Sequence, residues 1–384
     1  MVMRRVLVVG GGIGGLVLAR ALARLGAEVD VVERSPQLRA PGAGISLGAN
    51  AMRALDAVGV GASVAARGQA LGAAAITDAR GRTLSAADIA AITEKYGSAY
   101  AFERGALHAA LAEGLAALPG VAIRCGVSPT ALREADDGVA VATSDGVERR
   151  YHAVIGADGL RSQVRRLWFG EQAPEYAGYT CWRWVGAVAG EPVATVEMWG
   201  RGLRVGLVPL AGGQVYAFFV ANAPAGTPGD PSQGTAGHVR RRFAGFGGAA
   251  PRVLAALGDD GAALLHHDIE EIEVASWCRG RVALLGDAAH AMTPNFGQGA
   301  AMAIEDAVVL ARELVAHDDA AAGLRAYEAR RRPRVEDIQR GARRLGKVAQ
   351  WQSPVATWAR DLAVRCMPVA SARRALEAIV AHVP

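Results

Sequence analysis

The hydrophobic pattern is clearest at the start of the chain. Val6–Val9 is an unbroken apolar run, the pattern of a parallel strand buried on both faces. Glycine occupies positions 10, 11, 12, 14 and 15, and Leu16–Leu25 then carries apolar residues at helical spacing among good helix formers. Gly26 ends that helix, and Glu28–Val32 predicts a second strand that closes on Glu33. Strand, glycine turn, helix, strand and acid make a βαβ unit of about thirty residues. Ala106–Ala117 predicts a helix, and Ala140–Thr143 and Ala153–Ile155 predict strands. From 168 to 220 alternation replaces helical spacing, as in Arg204–Val208 and Val215–Val220, and this stretch holds ten of the 21 aromatic residues. It predicts a separate, mostly β layer. Pro224–Gly234 reads as a loop, Gly237–Leu257 as helix, Arg281–Leu285 as a buried strand and Ala300–His317 as a helix. The Arg-rich tail from Ala321 predicts helix interrupted at Pro333 and Pro354. No internal repeat is visible.

Composition narrows the class. A chain of 384 residues, 51% hydrophobic and 21% charged, can bury a core, is not a disordered tail, and has room for roughly two to three domains. Its four cysteines, Cys125, Cys181, Cys278 and Cys366, lie far apart, which argues against a zinc ribbon or a disulfide scaffold. Reduced thiols in the cytoplasm are the expectation. The net charge of +5 comes from 42 basic and 37 acidic residues, a mixed surface without a basic arm. The cluster Arg330–Arg334, with Arg340, Arg343 and Arg344, has Glu328, Glu336 and Asp337 among it and no interleaved aromatics. It reads as a solvated helix face, and no nucleic-acid partner is expected. The opening Met1–Arg5 imitates a signal peptide, but the glycines break its apolar run and no small-residue cleavage site follows. The longest uncharged stretch, Val205–Gly229, contains Pro209, Gly212, Gly213, Gln214, Asn222 and Pro224, so it reads as two strands and a turn. No membrane insertion is expected.

The glycine turn carries the first chemistry. In Gly10-x-Gly12-x-x-Gly15 the first glycine permits the tight turn and the second lets backbone approach a pyrophosphate. The third packs helix on strand, and the helix N-terminus offers N–H groups to the phosphates. Glu33, eighteen residues past Gly15, would accept from ribose hydroxyls and repel a 2′-phosphate. An ADP moiety is implied, and the turn alone leaves NAD and FAD open.

Two further strings bear on that choice. Arg281–Leu285 leads into Gly286-Asp287-Ala288-Ala289-His290, and Pro294-Asn-Phe-Gly297-Gln298-Gly299 then opens a helix with Glu305 and Asp306. Gly156-Ala-Asp158-Gly-Leu-Arg161-Ser162 is the third. Together, in this order, the motifs resemble the FAD-binding signatures of the group A flavoprotein monooxygenases, the para-hydroxybenzoate hydroxylase-like family. The resemblance covers residues 1–345 and is nearest the urate, salicylate and 6-hydroxynicotinate hydroxylase branch. It implies an α/β fold: a discontinuous Rossmann-like FAD-binding domain (1–75, 98–173 and 270–345), an inserted mixed β-sheet substrate domain (76–97 and 174–269), and a helical C-terminal segment (346–384).

The resemblance also implies roles. Asp287 would bond the ribityl chain, and the Gly297–Gly299 turn would let backbone approach the isoalloxazine. Glu33 and Arg34 would contact the adenosine side, and Arg104 would reach the phosphates. Asp158 would lie near the cofactor and bear on nicotinamide use. Ile13, Gly14, Ser46, Val127, Pro294, Gln298, Ala300 and Ala301 complete the implied cofactor set, with Ala301 where many members carry Asn. The Gly42–Ser46 loop looks like the one against which the flavin swings. His290 reads better as a brace for the flavin loop than as an acid–base group, and no metal set is expected. The aromatics Tyr179, Trp182 and Trp184 are expected in the core, with one or two lining a pocket.

Arg204 and Tyr216 flank the expected hairpin turn at Leu210–Gly213, and an even pairing sum would put both on one face. In the urate-hydroxylase branch an Arg and a Tyr at matching positions engage an anionic substrate. Cys181 departs from that branch, which has a polar amide there. A strand arginine without a substrate role is the competing reading of Arg204. The implied reaction is hydroxylation of an aromatic or heteroaromatic small molecule with NAD(P)H as transient co-substrate and O2, through a C4a-hydroperoxyflavin. An epoxidase of a larger, polycyclic scaffold, or a flavin reductase without oxygen insertion, are the alternatives. A monomer or homodimer is expected.

Overall fold

The computed structural model describes residues 5–39, 42–88, 90–227, 234–258 and 264–384. A six-stranded sheet is ordered Cys278–Arg279, Val282–Leu284, Ala153–Gly156, Arg5–Val9, Glu28–Glu33, Val121–Cys125. Its strands are parallel except for the Cys278–Arg279 edge. The apolar run of the first strand is explained by its place: Val6, Leu7, Val8 and Val9 are flanked by strands on both sides, with the helix Ile13–Arg24 and the strand Glu148–Tyr151 packed against them.

The aromatic-rich stretch forms a second sheet. Seven strands run in the order Leu265–Glu271, Glu175–Ala187, Gln214–Asn222, Leu203–Pro209, Thr195–Trp199, Ala73–Asp78, Thr83–Asp88. One face is packed by the helices Gly234–Arg242 and Ala250–Ala256, which bury Trp182, Trp184, Phe219 and Phe243. Tyr179 lies on the other face, buried with Cys181, Val220 and Ile269, so all three aromatics are in the core as expected, on two different sheet faces. A three-stranded sheet, Gly44–Leu47, Ala99–Glu103 and Gln69–Leu71, stands between the two large ones.

Several element boundaries differ from the sequence reading. Gly237–Leu257 is two helices, because Gly245, Gly247 and Gly248 (φ +57°) break the backbone between them. Ala106–Ala117 divides into the helix Arg104–Ala112 and a 3₁₀ turn Leu115–Ala117, separated at Gly114 (φ +68°). The expected interruption at Pro333 is absent: Ala320–Ala349 is one helix of 30 residues. An interior proline costs about 3 kcal/mol, and here burial of Arg331, Val335 and Ile338 holds the helix across it. Pro354 does mark a boundary, as the first residue of the helix Pro354–Arg365. Of the loop read over Pro224–Gly234, residues 228–233 lie outside the described residues, as do residues 1–4 of the opening segment.

Candidate active site

The first glycine turn leaves the central strand and enters the Ile13–Arg24 helix. Gly10 adopts φ +110°, and a Cβ there would stand 2.4 Å from the carbonyl oxygen of Ala157. A Cβ on Gly15 would stand 2.0 Å from the Gly10 oxygen, while one on Gly12 meets nothing within 4 Å. The three positions thus divide as the motif requires: turn, open approach, and helix-on-strand packing. The helix begins at Ile13 with no side-chain cap and no acid in its first turn. Gly14 is backed by Leu285 and Ala303, which brings the second motif up against the first.

Glu33 accepts from the N–H of Gly11 at 2.7 Å and of Ser35 at 2.8 Å, one per carboxylate oxygen. A carboxylate offers about four acceptor sites, so two remain for hydroxyl donors. Val127 is buried, and its N–H donates to the Glu33 carbonyl at 2.9 Å. Arg34 and Arg104 are exposed; the Arg104 backbone N–H donates to Ala43, and its side chain lies over Gly42. Ser46 is half-buried on the strand paired with Ala99–Glu103.

On the opposite side, Gly286 takes φ +61° and Gly297 φ +62°. Asp287 is exposed between Gly286 and the N-terminus of the Gly299–Ala316 helix, its Oδ1 about 4.0 Å from where a Gly299 Cβ would lie. Pro294 is exposed, whereas Gln298 is buried and accepts from Asn50 Nδ2 at 3.0 Å. Ala300 is half-buried. Ala301 is fully buried in the helix core, so it offers the site backbone and no side chain. Asp158 accepts from Ser162 Oγ at 2.5 Å and from the N–H groups of Gln163 and Val164 at 2.7 and 3.1 Å. Burial nevertheless pushes its carboxyl up. These contacts make Asp158 the brace of the turn that follows it, directly beside Gly10.

Beneath the second motif lies a buried ionic cluster. Arg331, 1% exposed, donates to Glu305 Oε2 and Asp306 Oδ1, both at 2.7 Å. Arg334 adds two bonds to Glu305 at 2.8 and 2.9 Å, and Asn50 a third at 2.7 Å. His290 Nε2 meets Asp306 Oδ2 at 2.6 Å. Burial works against the Asp306 charge, but His290 and Arg331 hold its carboxyl below the usual range. His290 is therefore tied, through Asp306, to the turn at Gly286. The expectation that Arg330–Arg334 forms a solvated face is corrected for Arg331 and Arg334, which turn inward because Glu305 and Asp306 await them.

The second sheet supplies the wall opposite the glycine turns. Arg204 pairs with Val220 and Val208 with Tyr216, so Arg204 and Tyr216 share a face, four residues apart, about 13 Å along the strands. Arg204 is otherwise occupied: it donates to Gln350 at 2.9 Å, Glu197 at 2.9 Å and Asn295 at 2.8 Å, and is 3% exposed. Its guanidinium also lies 5.6 Å from the Tyr179 ring. Tyr216 packs on Gly44, where a Cβ would meet its ring at 2.2 Å. Burial pushes its hydroxyl up to about 12, against the opposing pull of Arg183.

Arg183 is the residue the sequence reading missed. It lies on the same face, two positions from Cys181 and opposite Phe218, and the neighbouring Cys181 and then Tyr216 favour its charge. Among the described residues it pairs with no carboxylate. The phase of alternation was the available signal: with Trp182 and Trp184 in the core, Cys181 and Arg183 must face the other way. His267 is the strand partner of Cys181, and burial, then Arg183, His266 and Arg104, keep its imidazole below the ordinary value.

The comparisons with known proteins agree with this fold. Residues 3–342 match the family described as FAD binding domain. The chain is 39% identical over 367 residues to an aurachin C monooxygenase/isomerase of Stigmatella aurantiaca, covering 94% of each chain. It is 38% identical over 379 residues to a 2-heptyl-3-hydroxy-4(1H)-quinolone synthase of Pseudomonas aeruginosa, covering 96% of each. Klebsiella pneumoniae HpxO, in a crystal structure complexed with FAD and uric acid, superposes with a TM-score of 0.90 at 31% identity, over 99% of this chain and 97% of that one.

Proposed function

The chain belongs to the FAD binding domain family of flavoprotein monooxygenases, and on that premise we propose that this FAD-dependent monooxygenase hydroxylates a fused nitrogen heteroaromatic of the 4-quinolone class. The observation that carries the reading is Arg183, a half-buried cation on the wall facing the flavin loop, with no carboxylate partner among the described residues. A desolvated guanidinium favours an anionic oxygen over water. One relative is named for a 3-hydroxylated 4(1H)-quinolone with a heptyl group, a ring whose C4 oxygen can carry that charge.

FAD, when bound, supplies the redox chemistry that couples a reductant and O2 to insertion of one oxygen atom. The chain's own residues do the rest. Arg183 donates to the C4 oxygen and favours loss of the ring N–H proton to solvent, which enriches the neighbouring ring carbon in electrons. Tyr216, its hydroxyl pushed up by burial, keeps its proton at working pH and donates a hydrogen bond to the substrate. Leu71, Val185, Val208 and Leu210 gather around Tyr216 as an apolar wall that excludes water and takes an alkyl substituent. Arg204 ties this sheet to Asn295 and Gln350, and so acts on the substrate only through position.

We read NAD(P)H and O2 as co-substrates, because no second glycine fingerprint has a strand before it and an acid after it. We divide the chain into FAD-binding segments 1–75, 98–173 and 270–345, a substrate unit of 76–97 and 174–269, and a C-terminal segment 346–384; the strands Ala73–Asp78 and Leu265–Glu271 of the seven-stranded sheet straddle two of these boundaries. The enzyme works in the cytoplasm as a monomer or homodimer in this reading; among the described residues no helix is long and apolar enough to cross a membrane. The test is NAD(P)H oxidation with product mass analysis on 2-alkyl-4-quinolones, urate and phenolic acids. Quinolones should gain one oxygen with tight coupling. Coupled turnover of urate or a phenolic acid, with quinolones inert, refutes the assignment.

A further inference from the structure

The C-terminal segment carries an exposed apolar ridge. Of the eight large hydrophobic side chains exposed among the described residues, six lie between 351 and 369: Trp351, Val355, Trp358, Leu362, Met367 and Val369, with Val355 at 74% and Trp358 at 66%. Val355, Trp358 and Leu362 fall at i, i+3 and i+7 of the Pro354–Arg365 helix and form one stripe. The opposite stripe fixes the helix to the body. Arg360, 3% exposed, donates to the carbonyls of Ala349 at 2.9 Å and Gly200 at 3.2 Å and lies 5.3 Å from the Trp199 ring. The ridge is thus held outward by the fold.

Beside Trp358 runs a groove of about 450 Å³ lined by Arg80, Arg82, Arg201, Arg242 and Arg360, against only Asp78 and Asp361. Arg82 pairs with Asp78 and Arg360 with Asp361, which leaves Arg80, Arg201 and Arg242 as positive charge beyond those two pairs. Arg365 extends the positive edge at the end of the helix. An amphipathic helix with an aromatic–aliphatic face and flanking arginines is the chemistry of an interfacial membrane contact.

We propose that this face adsorbs to an anionic phospholipid bilayer, the Trp358–Leu362 stripe entering the acyl boundary and the arginine groove taking lipid phosphates. The proposal is independent of the substrate reading. A second copy of the chain suits the face less well, because a twofold contact would set the same arginines against each other. The helix Pro354–Arg365 has 12 residues, so it lies in the interface and does not span it.

The test uses the full-length holoenzyme in vesicle co-sedimentation. Vesicles of phosphatidylcholine with phosphatidylglycerol should bind it and pure phosphatidylcholine should not, with binding lost in high salt. Trp358→Ser with Leu362→Ser should weaken partition about tenfold or more, and Arg80→Glu with Arg201→Glu at least about fivefold per site. FAD content and turnover of a soluble substrate should stay unchanged in both variants. Absence of binding to the anionic vesicles overturns the proposal, as does binding that neither variant weakens. Self-association without lipid that Trp358→Ser with Leu362→Ser abolishes also overturns it, and assigns the ridge to a second copy.

Discussion

Replacing Arg331 by Met tests the buried cluster beneath the Gly286 turn. The side chain is 1% exposed and serves two carboxylates. Glu305 would keep Arg334 and Asn50 after the loss. Asp306 would keep only His290 at 2.6 Å and the Gly286 N–H at 3.3 Å. The cost therefore falls on Asp306, a fully buried carboxylate left with a weaker counter-charge. Breaking one side of a buried pair costs about 3–5 kcal/mol, and the retained partners place the expectation at the lower end, about 3 kcal/mol. Because Asp306 touches Gly286, the residue before Asp287, FAD affinity should fall together with stability. The assay is urea unfolding of the apoprotein at neutral pH, beside a titration of FAD binding. Asp306→Asn added to Arg331→Met removes the stranded charge and should recover part of the loss, so the two substitutions are less than additive. A cost below about 1 kcal/mol, or strict additivity, refutes the reasoning.

Three further expectations follow from the site, and a fourth from the first sheet. Arg183→Gln should lower kcat/KM for a quinolone about tenfold to a hundredfold, the loss of one charge-assisted hydrogen bond, with FAD content intact. Arg204→Gln should instead lower the unfolding midpoint with KM nearly unchanged, and the opposite pattern would put Arg204 on the substrate. Gly10→Ala, which drives a methyl toward the Ala157 oxygen at positive φ, should lower apoprotein stability. Gly12→Ala should leave stability unchanged and weaken FAD binding, read from flavin absorbance per chain. Asp30 lies below the usual carboxylate range: burial opposes its charge, but hydrogen bonds from Arg5, Tyr151 and Arg149 outweigh it. A folded-state value below the unfolded one means the stabilisation is complete above about pH 4 and is lost as pH falls through the folded value. Asp30→Asn should flatten that acid limb in unfolding measured across pH, and an unchanged limb counts against the assignment.

Local physics was written in the sequence. An apolar run of four, glycines at positions that need a positive φ or a close backbone approach, and an acid closing the next strand are short-range requirements. Reading along the chain recovers the βαβ unit, the Gly286 and Gly297 turns and the β layer for that reason. Pairings between distant segments are of another kind. Pro333 predicts a break, but an ion pair from Arg331 to residues 25 and 26 positions away outweighs a local cost that no neighbouring residue reveals. The same acids decide that Arg331 and Arg334, two of the four arginines between 330 and 334, face inward. In the second sheet, alternation fixed which strand residues share a face, whereas the hairpin register decided that Arg204 and Tyr216 stand apart. Only the packing of the C-terminal helix showed that Gln350 takes Arg204 and leaves Arg183 beside Tyr216. Turn and strand propensities act over a few residues and survive being read one at a time. Counter-charges and strand partners are supplied by remote parts of the chain, so they exist only once it has folded.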